Sequence, residues 1–307
     1  MPVLVPKPLR PGDAIAIIPT ARAISEAELR AGIALAESWG LHVKLGGGVG
    51  RKRFQQAGTA QERTMDLQNA INDPNVRAIW CARGGYGTVH LLEGLDTAPL
   101  KKDPKWIIGF SDVTVLHNAL LKTGVVSLHA QMPFNVAGKS DLAKETLRKA
   151  LFGAAYEVDG PADPAQRNGV CEATLVGGNL SVLYSLRGTP YDLDPAGRIL
   201  FLEDLDELRY HADRMLQNLK LGGWFEGLAG LVVGGMIDMR DKNPDDPFGK
   251  EVEAMIAEAV APYGYPVCFG FPAGHIDDNR ALILGRKAKL SVTANGALLT
   301  FGEAIGA

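Results

Sequence analysis

The sequence predicts an α/β protein of two domains, the first on a parallel sheet covered on both faces and the second on a mixed sheet. Three observations carry this. Short apolar runs alternate with helix-patterned stretches through the first half. The segment Asp159 to Gly169, rich in Pro, Gly, Asp and Asn, reads as a break between domains. The second half is strand-rich towards its end. At 307 residues the chain is long for one core and comfortable for two. The expected division is 1–152, a linker at 153–169, and 170–307.

In the first half, Ala14 to Pro19 reads as a strand. Ser25 and Glu28 have the spacing of a capping box before an Ala/Leu-rich helix ending at Gly40. His42 to Leu45 resumes an extended pattern, Gln61 to Asn72 is helical, and Arg77 to Cys81 is a strand. Lys105 to Phe110 is another strand, followed by a helix from about Asp112 to Lys122 and a strand at Val125 to His129. Ala137 to Gly153 is polar and helix-like. Strands are then expected at Val170–Val176, Arg198–Leu202, Leu228–Met236, Pro266–Phe271, Ala281–Leu284 and Lys287–Val292. Helices are expected near Leu180–Leu186, Ala212–Leu221 and Lys250–Pro262.

Composition narrows the function classes. Hydrophobic residues make up 46% and charged residues 22%, the mix of a soluble globular chain. The net charge is −3 with no basic block, which argues against nucleic acid as a partner. The opening MPVLVPKPLRPGD holds no apolar run of signal-peptide length, and no stretch approaches a membrane span, so a cytoplasmic protein is expected. Cys81, Cys171 and Cys268 lie in apolar runs without CxxC spacing, which fits reduced, buried thiols. No HExxH, His cluster or Cys-His spacing is present, so neither zinc nor another cofactor is expected.

In open parallel sheets, ligands bind outside the carboxyl ends of the strands. Three segments follow strands directly: Arg83-Gly84-Gly85-Tyr86-Gly87, Gly109-Phe110-Ser111-Asp112 and Glu203-Asp204. A strand runs into Ser111 and a helix out of it, as in a nucleophile elbow, with helix N–H groups available to an oxyanion. Val113 stands where the second glycine of G-x-S-x-G belongs, and Ser111 or Asp112 could instead cap the helix. The RGGYG loop lets backbone approach a ligand closely. Gly84 or Gly85 could donate to an oxyanion and Arg83 could grip a carboxylate, while a plain tight turn is the alternative. Neither this loop nor Gly46 to Gly50 matches a phosphate-binding pattern.

A serine nucleophile needs a base and an orienting carboxylate. His275, in the polar loop Gly274 to Asn279, competes with His129 at a strand end and with His211 near a helix start. His42, His90 and His117 sit in element bodies, where surface or satisfied-core roles are expected. Glu203 and Asp204 could serve as the carboxylate, cap the following helix, or pair with Arg209 or Arg214.

Taken together, Ala57-Gly58-Thr59, Glu62-Arg63, Asp66-Leu67, Ala70-Ile71, Ile79 through Gly87, Gly109-Phe110-Ser111-Asp112, Gly177-Gly178-Asn179-Leu180, Leu202-Glu203-Asp204 and Gly274-His275 resemble the LD-carboxypeptidase family, the muramoyltetrapeptide carboxypeptidases. The resemblance runs from about Gly12 to about Leu290. It implies a Rossmann-like N-terminal domain carrying the nucleophile and a smaller β-rich C-terminal domain carrying Glu and His. It also implies a triad of Ser111, Glu203 and His275, an oxyanion hole of the Gly85 and Asp112 amides, a murein tetrapeptide substrate and a homodimer. Arg83, Gly84 and Tyr86 are the expected substrate contacts. Ala130-Gln131-Met132-Pro133 departs from the His-Gly-Pro type sequence of many relatives.

Some members of the family resemble microcin-immunity proteins, which cleave aminoacyl-nucleotide-type conjugates and carry an extra loop with a base-stacking aromatic. Here only a short stretch without Trp separates the linker from Gly177, which favours the murein peptide. A non-catalytic binding module and a glutamine-amidotransferase-like enzyme are rivals from other classes. The latter needs a cysteine where Ser111 stands.

Overall fold

The computed structural model describes residues 3–302. The chain divides into two compact units, one made of residues up to Ala155 with Asp277–Gly285, the other of Tyr156–Ile276 with Arg286–Gly302. In chain order the first unit holds β1 (Ala14–Ile18), α1 (Glu26–Ser38), β2 (His42–Leu45), α2 (Ala60–Asn72), β3 (Val76–Cys81), β4 (Trp106–Gly109), α3 (Thr114–Thr123), β5 (Ser127–His129) and α4 (Asp141–Leu151). The second unit follows with β6 (Glu157–Gly160), β7 (Gly169–Asn179), α5 (Leu180–Ser185), β8 (Ile199–Leu205), α6 (Arg209–Leu221), β9 (Gly230–Ile237), α7 (Val252–Val260) and β10 (Val267–Cys268). β11 (Leu282–Leu284) returns to the first unit, and β12 (Lys287–Thr293) and β13 (Gly296–Thr300) complete the second.

The first sheet has the order β11-β5-β4-β3-β1-β2, parallel except for β11. This is the doubly wound arrangement, and its strand order reverses between β1 and β3. β1 and β4 are buried along their whole length, so their apolar runs show no alternation. Ile18, Leu67, Ile79, Ile107, Leu116 and Met132 belong to the core that packs one face. α1 starts at the expected box: Glu28 N donates to Ser25 Oγ (3.4 Å) and Ser25 N to Glu28 Oε2 (2.9 Å). α2 has a second box, between Thr59 and Glu62. Such caps contribute about 0.5–2 kcal/mol each by satisfying N–H groups the helix leaves open.

The second sheet has the order β10-β9-β8-β7-β12-β13-β6, parallel from β10 to β7 and antiparallel beyond, so it is mixed as expected. Several details differ from the sequence reading: β13 was not among the expected strands, and of the strand expected at Pro266–Phe271 only Val267–Cys268 forms. The stretch read as a linker contains β6, whose single fully buried side chain, Val158, left no apolar run to recognise. Ala281–Leu284, placed with the second domain by position in the chain, instead pairs antiparallel with β5, Leu282 opposite His129. α3 begins at Thr114, after a short 3-10 turn over Ser111–Val113.

Candidate active site

Ser111 sits where β4 ends and the 3-10 turn into α3 begins, with φ +63. A non-glycine residue rarely holds a left-handed backbone, and such strain concentrates at turns that present a side chain for chemistry. The cap alternative fails: no side-chain cap bond forms at either helical start, and the Asp112 carboxylate accepts from Thr88 N (2.8 Å) instead. Val113 folds back on Gly109, where an added Cβ would lie 2.8 Å from Val113 Cγ2, so the small residue is needed at position 109.

The 83–87 loop lies against this turn. A Cβ on buried Gly84 would stand 3.6 Å from Ser111 Oγ and 3.3 Å from Met132 Cε. Gly85 has φ +111, and a Cβ there would meet Arg22 Cδ at 2.3 Å. The Tyr86 ring is exposed and meets His90 edge-on, while Gln56 Nε2 donates to the Tyr86 carbonyl (2.9 Å). Arg83 lies 3.5 Å from Glu28 Oε1, with its guanidinium 4.2 Å over the Phe134 ring.

Two buried side chains hold these segments: Arg63, whose burial the sequence reading did not foresee, and His117, in the satisfied-core role that was one of its readings. Arg63 Nη1 donates to the carbonyls of Thr20 (2.5 Å) and Gly87 (2.9 Å), tying the loop to the end of β1. His117 Nε2 donates to the Gly109 carbonyl (3.0 Å), and its Nδ1 accepts from Ser127 Oγ (2.8 Å). Burial, with His129 nearby, pushes the His117 pKa down to about 3, so the ring is neutral. Arg63 stood in the Glu62-Arg63 pair, but nothing in the pattern marked it as buried.

In the second unit, β8 runs apolar from Ile199 to Leu202 and continues through Glu203 and Asp204 to Leu205, so the two acids expected to follow the strand lie within it. Its register against β9 shifts between Leu202 and Asp204, where Gly234 and Gly235 of β9 stand opposite Glu203 alone, while Glu203 stays paired with Asn179 of β7. The extra residue of this bulge lies on β9, in a pair of glycines. Glu203, fully buried, lies 2.6 Å from His275 Nδ1 through Oε2. A carboxylate only accepts, so Nδ1 carries the proton in this contact. Gly274 makes the approach possible: its φ is +109, and a Cβ would fall 2.7 Å from Glu203 Oε2.

Asp204 serves structure. It accepts from Asn179 Nδ2 (2.8 Å), Ser181 N (2.9 Å) and Leu205 N (2.9 Å). Burial and the Glu203 charge push its pKa up to about 7 despite these donors. It thus satisfies the start of the preceding helix, α5, where a cap on the following helix was one alternative. Arg209, the suggested ion-pair partner, pairs with Asp241 and Glu251 instead. Arg214 lies over the Tyr210 ring.

The sequence-predicted residues therefore gather in two groups, one in each unit: Ser111 with Gly84 and its loop, and Glu203 with His275. His129 is fully buried, with its ring against Phe110 (5.8 Å), and His211 stands beside Glu207 (3.6 Å). Among the described residues, no helix is long and apolar enough to cross a membrane, and no group of three or more His, Cys, Asp or Glu is placed to hold a metal ion.

Residues 15–130 match the LD-carboxypeptidase N-terminal domain, and residues 172–290 match the LD-carboxypeptidase C-terminal domain. A probable murein peptide carboxypeptidase of Bacillus subtilis is 33% identical, over 98% of this chain and 96% of its own. The crystal structure of muramoyltetrapeptide carboxypeptidase from Oxalobacter formigenes superposes with a TM-score of 0.85 at 31% identity, covering 95% of this chain and 99% of that one. MccF in complex with glutamyl sulfamoyl guanosine superposes with a TM-score of 0.86 over 99% and 100% of the chains; at 21% identity this is a likeness of fold.

Proposed function

The chain belongs to the LD-carboxypeptidase family, and from that premise we propose that it releases the terminal D-alanine of murein tetrapeptides, with Ser111 as nucleophile, His275 as general base and Glu203 as its orienting carboxylate. Family membership makes it a carboxypeptidase and so a hydrolase. The observation that carries the finer reading is the 2.6 Å contact between His275 and a wholly buried Glu203.

In this mechanism His275 Nε2 takes the Ser111 hydroxyl proton as Oγ attacks the carbonyl of the L-configured centre. The N–H groups of Gly85 and Asp112 hold the oxyanion. The C–N bond breaks, the imidazolium protonates the departing amine, and D-alanine leaves. Water, activated by the same imidazole, then hydrolyses the acyl-enzyme. Arg83, Gly84 and Tyr86 supply the substrate-facing loop. The reading carries with it cytoplasmic wall recycling by a homodimer, which light scattering of the purified protein tests.

Mass spectrometry of the products from a defined tetrapeptide tests the substrate, with an aminoacyl sulfamoyl nucleotide assayed in parallel. Tripeptide and free D-alanine are expected, with the nucleotide left intact. Cleavage of the nucleotide alone would transfer the reading to the microcin-immunity class, and cleavage of neither would favour a binding module.

A further inference from the structure

The first unit contains a cavity of about 540 Å³ lined by residues that follow β1 and β3, including Arg22 and Arg83, together with Glu28, Arg51, Lys52 and Phe54. These two strands flank the place where the strand order reverses, the general ligand position of doubly wound sheets. Four cations line it, but two are already answered. Arg83 faces Glu28 and covers Phe134, and Arg51 pairs with Glu62 (2.9 Å). Among the described residues, Arg22 and Lys52 have no carboxylate at ion-pair distance. Phe54, at the same cavity, is 89% exposed and has φ +53, a conformation an aromatic residue seldom holds. An apolar ring in water beside two unanswered cations matches a small ligand with a negative end and an apolar body.

We propose that this cavity recognises the free C-terminal carboxylate of the peptide, with the Arg22 guanidinium as its ligand and Lys52 as a second positive charge. The inference rests on the carboxypeptidase reading above. Its geometric basis is the chain of contacts around the loop. Gly84 lies beside Ser111 Oγ, and the stem of Arg22 lies against Gly85, the next residue. In the substrate the terminal carboxylate is about one residue, ~3.8 Å, beyond the attacked carbonyl. A guanidinium fork matches a carboxylate with two parallel N–H bonds, and Arg22 is free to form them where Arg83 is not.

The test uses two peptides that differ only at the end, a tetrapeptide with a free D-alanine carboxylate and the same peptide closed as D-alaninamide. The quantity read is the ratio of kcat/KM for acid over amide within one protein, so a loss of folded enzyme cancels. The wild-type ratio favours the acid. In Arg22→Gln the ratio falls about 10- to 100-fold, chiefly through KM for the acid. Arg22→Lys recovers part of it. An unchanged ratio in Arg22→Gln, with active wild-type enzyme, overturns this inference and leaves the carboxypeptidase reading standing. No cleavage of either peptide by the wild type removes both.

Discussion

Nδ1 of His275 lies 2.6 Å from Oε2 of Glu203, and a glycine with φ +109 immediately before the histidine leaves the room for it. The contact fixes the imidazole tautomer and offers a negative charge to the imidazolium. Glu203→Gln keeps the size of the side chain but can present an N–H to Nδ1, which selects the other tautomer. Turnover on a tetrapeptide is expected to fall by about 10²–10⁴. Activity within a few-fold of wild type would show that Glu203 does not orient the base.

Gly274→Ala would put a methyl group 2.7 Å from Glu203 Oε2 and 2.8 Å from its Cβ, at a φ that alanine resists. A loss of about 1–3 kcal/mol in urea unfolding is expected, together with reduced turnover. Unaltered stability and turnover would mean that the 273–276 turn is not constrained as described.

His117 predicts an acid-sensitive fold. Its folded-state pKa of about 3, set by burial and then by His129, lies below the unfolded value of about 6.5. Between those values the unfolded chain binds the extra proton, so stability is full above about pH 6.5 and falls as pH drops towards 3. From pH 7 to 5, wild type should lose about 2 kcal/mol more than His117→Gln, measured by denaturant unfolding at the two pH values. Equal losses in both proteins would contradict a buried neutral ring.

The thiols should be silent. Burial pushes Cys81 and Cys268 up to about 12 and Cys171 up to about 11. Little thiolate exists at pH 8, so iodoacetamide should leave the native protein and its activity untouched over an hour. Rapid loss of activity with one labelled cysteine would revive a cysteine-based chemistry. Cys171, expected to be buried, is partly exposed because the start of β7 alternates towards solvent.

Much of the fold could be read because local signals agreed with the tertiary outcome. The Ser25–Glu28 box starts α1 where its spacing places it, and the apolar runs of β1 and β4 lie in the parallel sheet. β6 escaped because one buried valine makes no pattern, and β11 was assigned to the wrong unit because pairing with β5 is a long-range contact that no local window contains. At the site, Ser111 and the RGGYG loop announced themselves as residues following strands. From spacing alone His275 was one of several histidines, and the resemblance singled it out. What separates it in the structure is the contact with buried Glu203 and the glycine clearance at 274, both of which depend on partners distant in sequence. Arg22 and Arg63 carried no local mark, and for His117 the sequence left surface and satisfied-core roles open, since a charged or polar side chain reads the same whether buried or exposed.

In the proposed mechanism Ser111 forms the covalent intermediate. Native protein treated with a serine-reactive phosphonate, digested and mapped by mass spectrometry, measures this most directly. A single adduct on Ser111 is predicted, absent from Ser111→Ala and suppressed in His275→Ala. An unlabelled Ser111, in a protein whose Ser111→Ala variant still releases D-alanine, would contradict it.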